Sequence, residues 1–71
     1  MRLTYSNHAR QQMRRRAVTE EDVERALART VGNRPGEPGT IWIHGFATGG
    51  RVLSVCVKLD NRRYVVTVAW Q

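Results

Sequence analysis

From Arg51 to Trp70 the chain alternates apolar and polar residues around a two-residue break at Asp60-Asn61. This pattern constrains the fold more than any other part of the sequence. Asp and Asn both tolerate positive φ, so the pair suits a tight reversal. A turn there sets Leu59 opposite Arg62, Val57 opposite Tyr64, Val55 opposite Val66 and Leu53 opposite Val68. The apolar pairs fall on one side of the sheet, as a core face requires. The other side carries Val52, Ser54, Cys56 and Lys58 beside Arg63, Val65, Thr67 and Ala69, a mixed and partly basic surface. Thr40 to Phe46 supplies a third strand, joined to Arg51–Leu59 through Ala47-Thr48-Gly49-Gly50. Either Ile41 and Ile43 face the core or Trp42 and His44 do, depending on how the glycine pair is accommodated. Residues 32–40 hold three glycines and two prolines and read as a loop.

The N-terminal half carries helix signals. Arg2 to Tyr5 has room for a short edge strand, and Ser6 or Asn7 is a good N-cap. The first helix runs from there to Arg15 or Arg16. At 3.6 residues per turn Ala9, Met13 and Arg16 share a face, with Gln12 between them and His8 at the edge, so Arg16 leans toward the apolar side. Thr19 caps a second helix, with Asp22 at the third helical position as a short capping box and Glu20, Glu21 and Asp22 at the positive end of the helix dipole. Val18 and Val23 have the spacing of a hydrophobic staple. Val23, Ala26, Leu27 and Thr30 form the buried stripe, Glu21 and Arg25 pair across one turn, and Gly32-Asn33 ends the helix. The elements add up to one α+β domain: two N-terminal helices on a three-stranded antiparallel sheet, with the short N-terminal strand as an optional fourth.

At 71 residues, such a domain has a limited core and gains from a partner chain or self-association. Cys56 is the only cysteine, which rules out an intrachain disulfide and suits a reducing compartment. No metal-ligand spacing occurs, and neither a metal nor a cofactor is expected. No apolar stretch follows Met1, and the runs Val52–Val57 and Val65–Trp70 are too short to span a bilayer. The expected location is the cytoplasm. The net charge is +6, and eleven of the twelve basic residues are arginine. Arginine favours bidentate contacts to phosphate and carboxylate. Nucleic acid and an acidic protein both fit this charge, while arginine use imposed by a GC-rich genome would need neither.

Chemistry concentrates in the run from His8 to Val23. A neutral imidazole serves as a general base, and guanidinium groups stabilise a charged phosphorane. The competing role for His8 is to cap amides or pack on the sheet. His44, the only other histidine, can share acid and base work with His8 in cleaving RNA, or can be an exposed strand residue. Arg16, Arg51, Lys58, Arg62 and Arg63 are the candidate phosphate contacts. Arg62 and Arg63 also keep a hairpin soluble, and a carboxylate at Glu20 or Asp22 is a structural alternative for Arg16. Thr67 is a mid-strand hydroxyl able to donate to phosphate. Trp42 and Trp70 either stack on bases or close the core. Tyr64 belongs to the apolar set, and Cys56 lies among valines. No P-loop, Ser-His-Asp arrangement or paired-carboxylate site is visible.

His8-Ala9, Met13, Arg16, Val18-Thr19, Asp22-Val23 and the closing Thr67-Val68-Ala69-Trp70 together resemble the DUF4258 family of small bacterial proteins. The likeness covers almost the whole chain. The family's helix–helix–three-strand order is similar to that of RelE/ParE-type toxins and related small endoribonucleases. The resemblance implies a hydrolase-like toxin of a toxin–antitoxin pair that cuts RNA without metal. His8, Arg16 and Thr67 would be its site residues, RNA (on the ribosome or free) its substrate, and a cognate antitoxin or a second copy of the chain its partner. The alternative is a non-catalytic basic module that docks nucleic acid or an acidic protein. The family often has glycine where this chain has Ala17. Glycine suits a left-handed turn, and alanine in that conformation costs about 1 kcal/mol.

Overall fold

The computed structural model describes residues 2–71. Its elements run β1 (Thr4–Tyr5), α1 (Asn7–Arg16), α2 (Glu20–Ala28), β2 (Thr30–Pro35), β3 (Thr40–Phe46), β4 (Val52–Lys58) and β5 (Asn61–Trp70), with one 3-10 turn at Thr48–Gly50. The strands form one five-stranded sheet in the order β1-β5-β4-β3-β2. β1 runs parallel to β5, and the other neighbours are antiparallel. The expected three-stranded antiparallel sheet, and with it the helix–helix–three-strand order of the RelE/ParE likeness, is therefore corrected to a five-stranded mixed sheet. The α+β class stands.

The larger correction is β2. Its residues fall in the segment read as a helix end and loop, yet Asn33, Arg34 and Pro35 pair with Ile43, Trp42 and Ile41. An edge strand needs no outward N–H, so Pro35 is tolerated there, and a register irregularity between Thr30 and Gly32 leaves Val31 unpaired while Gly32 pairs with His44. α2 consequently stops at Ala28, and Thr30 is exposed on the strand rather than part of a buried stripe.

The helices form for local reasons. Ser6 accepts from the Ala9 N–H at 2.9 Å and caps α1. Thr19 and Asp22 exchange side-chain-to-backbone bonds at 3.0 Å each, a complete capping box at α2. Between the helices Ala17 is left-handed, with φ 55° and ψ 45°, and the Val18 N–H donates to the Met13 carbonyl. The turn keeps the glycine-like conformation although its residue is alanine. It also explains Arg16. The chain turns just after it, Val18 fills the apolar place below Met13, and Arg16 is exposed instead of leaning into the core.

Both helices contribute to one core on one side of the sheet: Ala9, Met13, Val18, Val23 and Ala26 against Ile43, Leu53, Val55, Val57, Val65 and Val68. Ile41 and Ile43 thus face the helices, and Trp42 and His44 face away. Gly45 lies under α2 so closely that a Cβ there would sit 1.8 Å from the Ala26 carbonyl oxygen. The second hairpin turns one residue earlier than the sequence suggests, at Leu59-Asp60, with Lys58 paired to Asn61. Val57 pairs with Val65 and Cys56 with Thr67, which leaves Val66 as an extra residue on β5. With a second irregularity between Val57 and Lys58, which passes over Arg62, Arg63 and Tyr64, this bulge puts Val65 in the core in place of the expected Tyr64 and Val66, while Leu59 is 53 % exposed. Leu53 then pairs with Trp70 rather than Val68.

Asp22 ties the layers together. Beyond the capping box its carboxylate accepts from the Thr48 N–H at 3.3 Å and from the Thr48 hydroxyl. Burial alone would raise its pKa, but the bonds from Thr19 and Thr48 outweigh it and hold the carboxyl below its ordinary 3.8. This stabilisation is complete above pH 3.8, the unfolded value, and is lost as the pH falls through the lower folded value. Asp22→Asn is expected to cost about 2 kcal/mol at pH 7 in urea unfolding, with the gap to the parent closing in strong acid. Ala17→Gly is expected to raise stability by about 1 kcal/mol, read from the same unfolding midpoints.

Candidate functional site

The sheet face away from the helices carries the polar and aromatic side chains. Registration across β3, β4 and β5 sets Trp42, Cys56 and Thr67 in one row and His44, Ser54 and Ala69 in the next. Ser6 at the start of α1 hydrogen bonds to β5, its N–H to the Val65 carbonyl at 3.0 Å and its hydroxyl to the Val66 carbonyl at 2.7 Å. That anchorage brings the first turn of α1 to the side of the sheet, and His8 there reaches the open face. His8, Glu37, Thr40, Trp42, Cys56, Val66 and Thr67 line a recess of about 260 Å³. His8 and Glu37 are exposed, Trp42 and Thr67 half-buried, and the Cys56 thiol is buried among its neighbours.

The remaining candidate residues divide between two ends of the sheet. Lys58 follows Cys56 by two residues on the same face, next to the recess, and its Nζ lies 4.3 Å from the centre of the Tyr64 ring. Arg62 and Arg63 are exposed beside the turn at that same end. Arg51 lies before β4, about 20 Å along the strand from Lys58, with its guanidinium 4.1 Å from the centre of the Trp70 ring. The Trp70 indole N–H donates to the Arg16 carbonyl at 2.8 Å. Trp70 therefore meets the Arg51 guanidinium and the Arg16 backbone. The Arg16 side chain donates to Gln12 at 3.0 Å and lines a separate groove with Gln12 and Arg15. Neither Glu20 nor Asp22 pairs with it; Glu20 takes Arg10 at 2.7 Å. The structure brings His8 and Thr67 into one recess and leaves Arg16 outside it.

His44 is half-buried on the open face. Its Nδ1 is 2.7 Å from the Ser54 hydroxyl oxygen and 2.8 Å from Gln71 Nε2, and Gln71 Nε2 donates to the Ser54 hydroxyl at 3.0 Å. Two residues near the recess escaped the sequence reading because both lie in the segment taken for a loop. Arg34, opposite Trp42 on β2, places its guanidinium 5.2 Å from the centre of the indole. Glu37 is presented by a turn in which the Thr40 N–H and hydroxyl both donate to its carbonyl, at 2.9 and 2.8 Å. An acidic residue in a strongly basic chain was the available signal. Among the described residues no group of three or more His, Cys, Asp or Glu side chains is placed to hold a metal ion, and no helix is long and apolar enough to cross a membrane.

The chain matches the model of DUF4258, a domain of unknown function, over residues 5–70, and it belongs to that family. No curated protein and no solved structure matches it.

Ser54 is 4 % exposed and its hydroxyl meets both His44 and Gln71. Ser54→Ala is expected to lower stability by about 1–2 kcal/mol by thermal or urea unfolding, because the two partners lose a shared contact to a buried hydroxyl. Gln71→Ala, at an exposed position, is expected to cost less than half as much.

Proposed function

We propose that this chain is a toxin-type endoribonuclease that works without metal, acting on RNA laid across the open face of the sheet. The observation that carries the reading is the recess in which His8 and Thr67 stand beside Trp42, next to Lys58. In this reading the RNA 2′-hydroxyl gives its proton to His8 and attacks the adjacent phosphorus. The bond to the 5′-oxygen breaks, and that oxygen takes a proton from His44, two residues from Trp42 on the same face. The products are a 2′,3′-cyclic phosphate and a 5′-hydroxyl, so atoms balance with no cofactor. Thr67 donates a hydrogen bond to the phosphate, and Lys58 and the Arg34 guanidinium over Trp42 supply positive charge beside the recess. Arg62 and Arg63 hold phosphates on one side of the recess. Arg16, which lines a separate groove, and Arg51 over Trp70 serve as remote contacts to the RNA backbone. A toxin–antitoxin role in the cytoplasm, ribosome-associated RNA as substrate, a cognate antitoxin as partner and a homodimer as the assembled form belong to this reading.

A second reading is favoured by the separation of Arg16 from His8: a non-catalytic basic module whose cations hold RNA or an acidic protein. The two readings part on one experiment. Purified protein incubated with single-stranded RNA in chelator is expected to give fragments with 2′,3′-cyclic phosphate and 5′-hydroxyl ends. His8→Ala and His44→Ala should each slow cleavage at least about 100-fold, with the unfolding midpoint unchanged for the exposed His8 and lowered for His44, which bonds to Ser54, by no more than Ser54→Ala lowers it. Intact RNA with tight, salt-sensitive binding would establish the module instead.

A further inference from the structure

Glu37 is out of place on a face read as a phosphate-binding surface. A carboxylate there repels the RNA backbone, and among the described residues it has no ion-pair partner to neutralise it. Yet the turn at Thr40, which bonds to the Glu37 backbone carbonyl, sets this residue at the rim of the recess, alongside an indole and two groups able to hydrogen bond, the His8 imidazole and the Thr67 hydroxyl. The volume, about 260 Å³, is enough for one planar heterocycle and not for a folded segment. A small slot with an aromatic wall and a carboxylate at its edge is built for a base.

The carboxylate identifies which base. Its two oxygens are both acceptors, so the complementary edge carries two adjacent N–H donors. Guanine alone among the four RNA bases presents such an edge, at N1–H and the 2-amino group. Adenine and cytosine place a ring acceptor beside their amino donor, and uracil places its single N–H between two carbonyls. Three of the four therefore meet Glu37 with at least one lone pair facing a lone pair. Stacking on Trp42 is indifferent to the base and supplies affinity rather than choice. Arg34, whose guanidinium rests over the same indole, and Lys58 beside Cys56 stand ready for the phosphate of the same nucleotide.

We propose that this recess is a guanine-binding site, with Trp42 stacking on the base and Glu37 accepting both donors of its Watson–Crick edge, so that Glu37 sets the sequence preference of the open face. The proposal rests on the reading that this face binds RNA, but it does not need the bond to be cut.

The test is calorimetric titration of the intact chain with guanosine, adenosine, cytidine and uridine 3′-monophosphates, with inorganic phosphate as the control for charge alone. Guanosine monophosphate is expected to bind about tenfold or more tightly than the other three. Glu37→Gln, at an exposed loop position, should bring guanosine monophosphate down to the level of the others. Trp42→Leu should weaken all four nucleotides about tenfold while leaving inorganic phosphate unchanged. Equal binding of the four nucleotides, a guanine preference that survives Glu37→Gln, or affinities untouched by Trp42→Leu would each overturn it. RNA cleavage without base preference would sink this site and leave the nuclease standing. Guanine-selective binding without cleavage would do the reverse.

Discussion

The two layers of this protein meet where β3 has no side chain. At Gly45 the Ala26 carbonyl of α2 comes so near the sheet that any Cβ would overlap it. This close approach seats α2 on β3 and β4 and lets Ala26 and Val23 be fully buried. It also puts the N-terminus of α2 within reach of the turn after β3, where Asp22 meets Thr48. One backbone contact fixes the height of the helix above the sheet, and one carboxylate fixes its end. A small domain has few apolar side chains to spend on this task, so a polar link with fully paired oxygens matters more here than in a larger protein.

Because both helices are used on one side, the other side of the sheet is left to side chains that carry chemistry. It holds Trp42, His44, Lys58 and Thr67, with His8 brought to its margin by the anchorage of Ser6 on β5. A helix-covered face and a polar face are the normal partition of a mixed sheet with helices on one side. The unusual detail is the mixture on the polar face. It joins aromatic rings, imidazoles, cations and one carboxylate rather than cations alone.

Local signals made much of the architecture legible. The caps at Ser6 and Thr19, the staple of Val18 and Val23, and the strands β3, β4 and β5 all follow from short-range chemistry, whereas the left-handed turn at Ala17 was signalled only by the family's glycine, since alanine argues locally against it. β2 did not, because Gly32 and Pro35 are strand breakers in any local reading, and only its neighbour β3 makes the edge position acceptable. The hairpin register failed for a related reason. Alternation predicts a regular ladder, whereas an added residue at Val66 is visible only once Val65 and Val68 are both seen in the core. Of the site, His8 and Thr67 share a recess, but the helical period carried Arg16 one turn too far inward, since a period alone does not show where the helix stops and Val18 takes over. Glu37 and Arg34 were hidden with β2.

The extra residue on β5 has a further consequence. A strand that alternates without interruption shows one side chain in two to each surface, so either Val66 or Thr67 would have pointed at the helices. By inserting one residue the chain keeps two valines in contact with the core and still turns two consecutive side chains outward. The spacing between Val65 and Val68 therefore matters as much as the identity of the residues between them. A substitution at Thr67 changes one wall of the hollow, but shortening this stretch by a single amino acid would erase the hollow and leave an ordinary flat ribbon in its place.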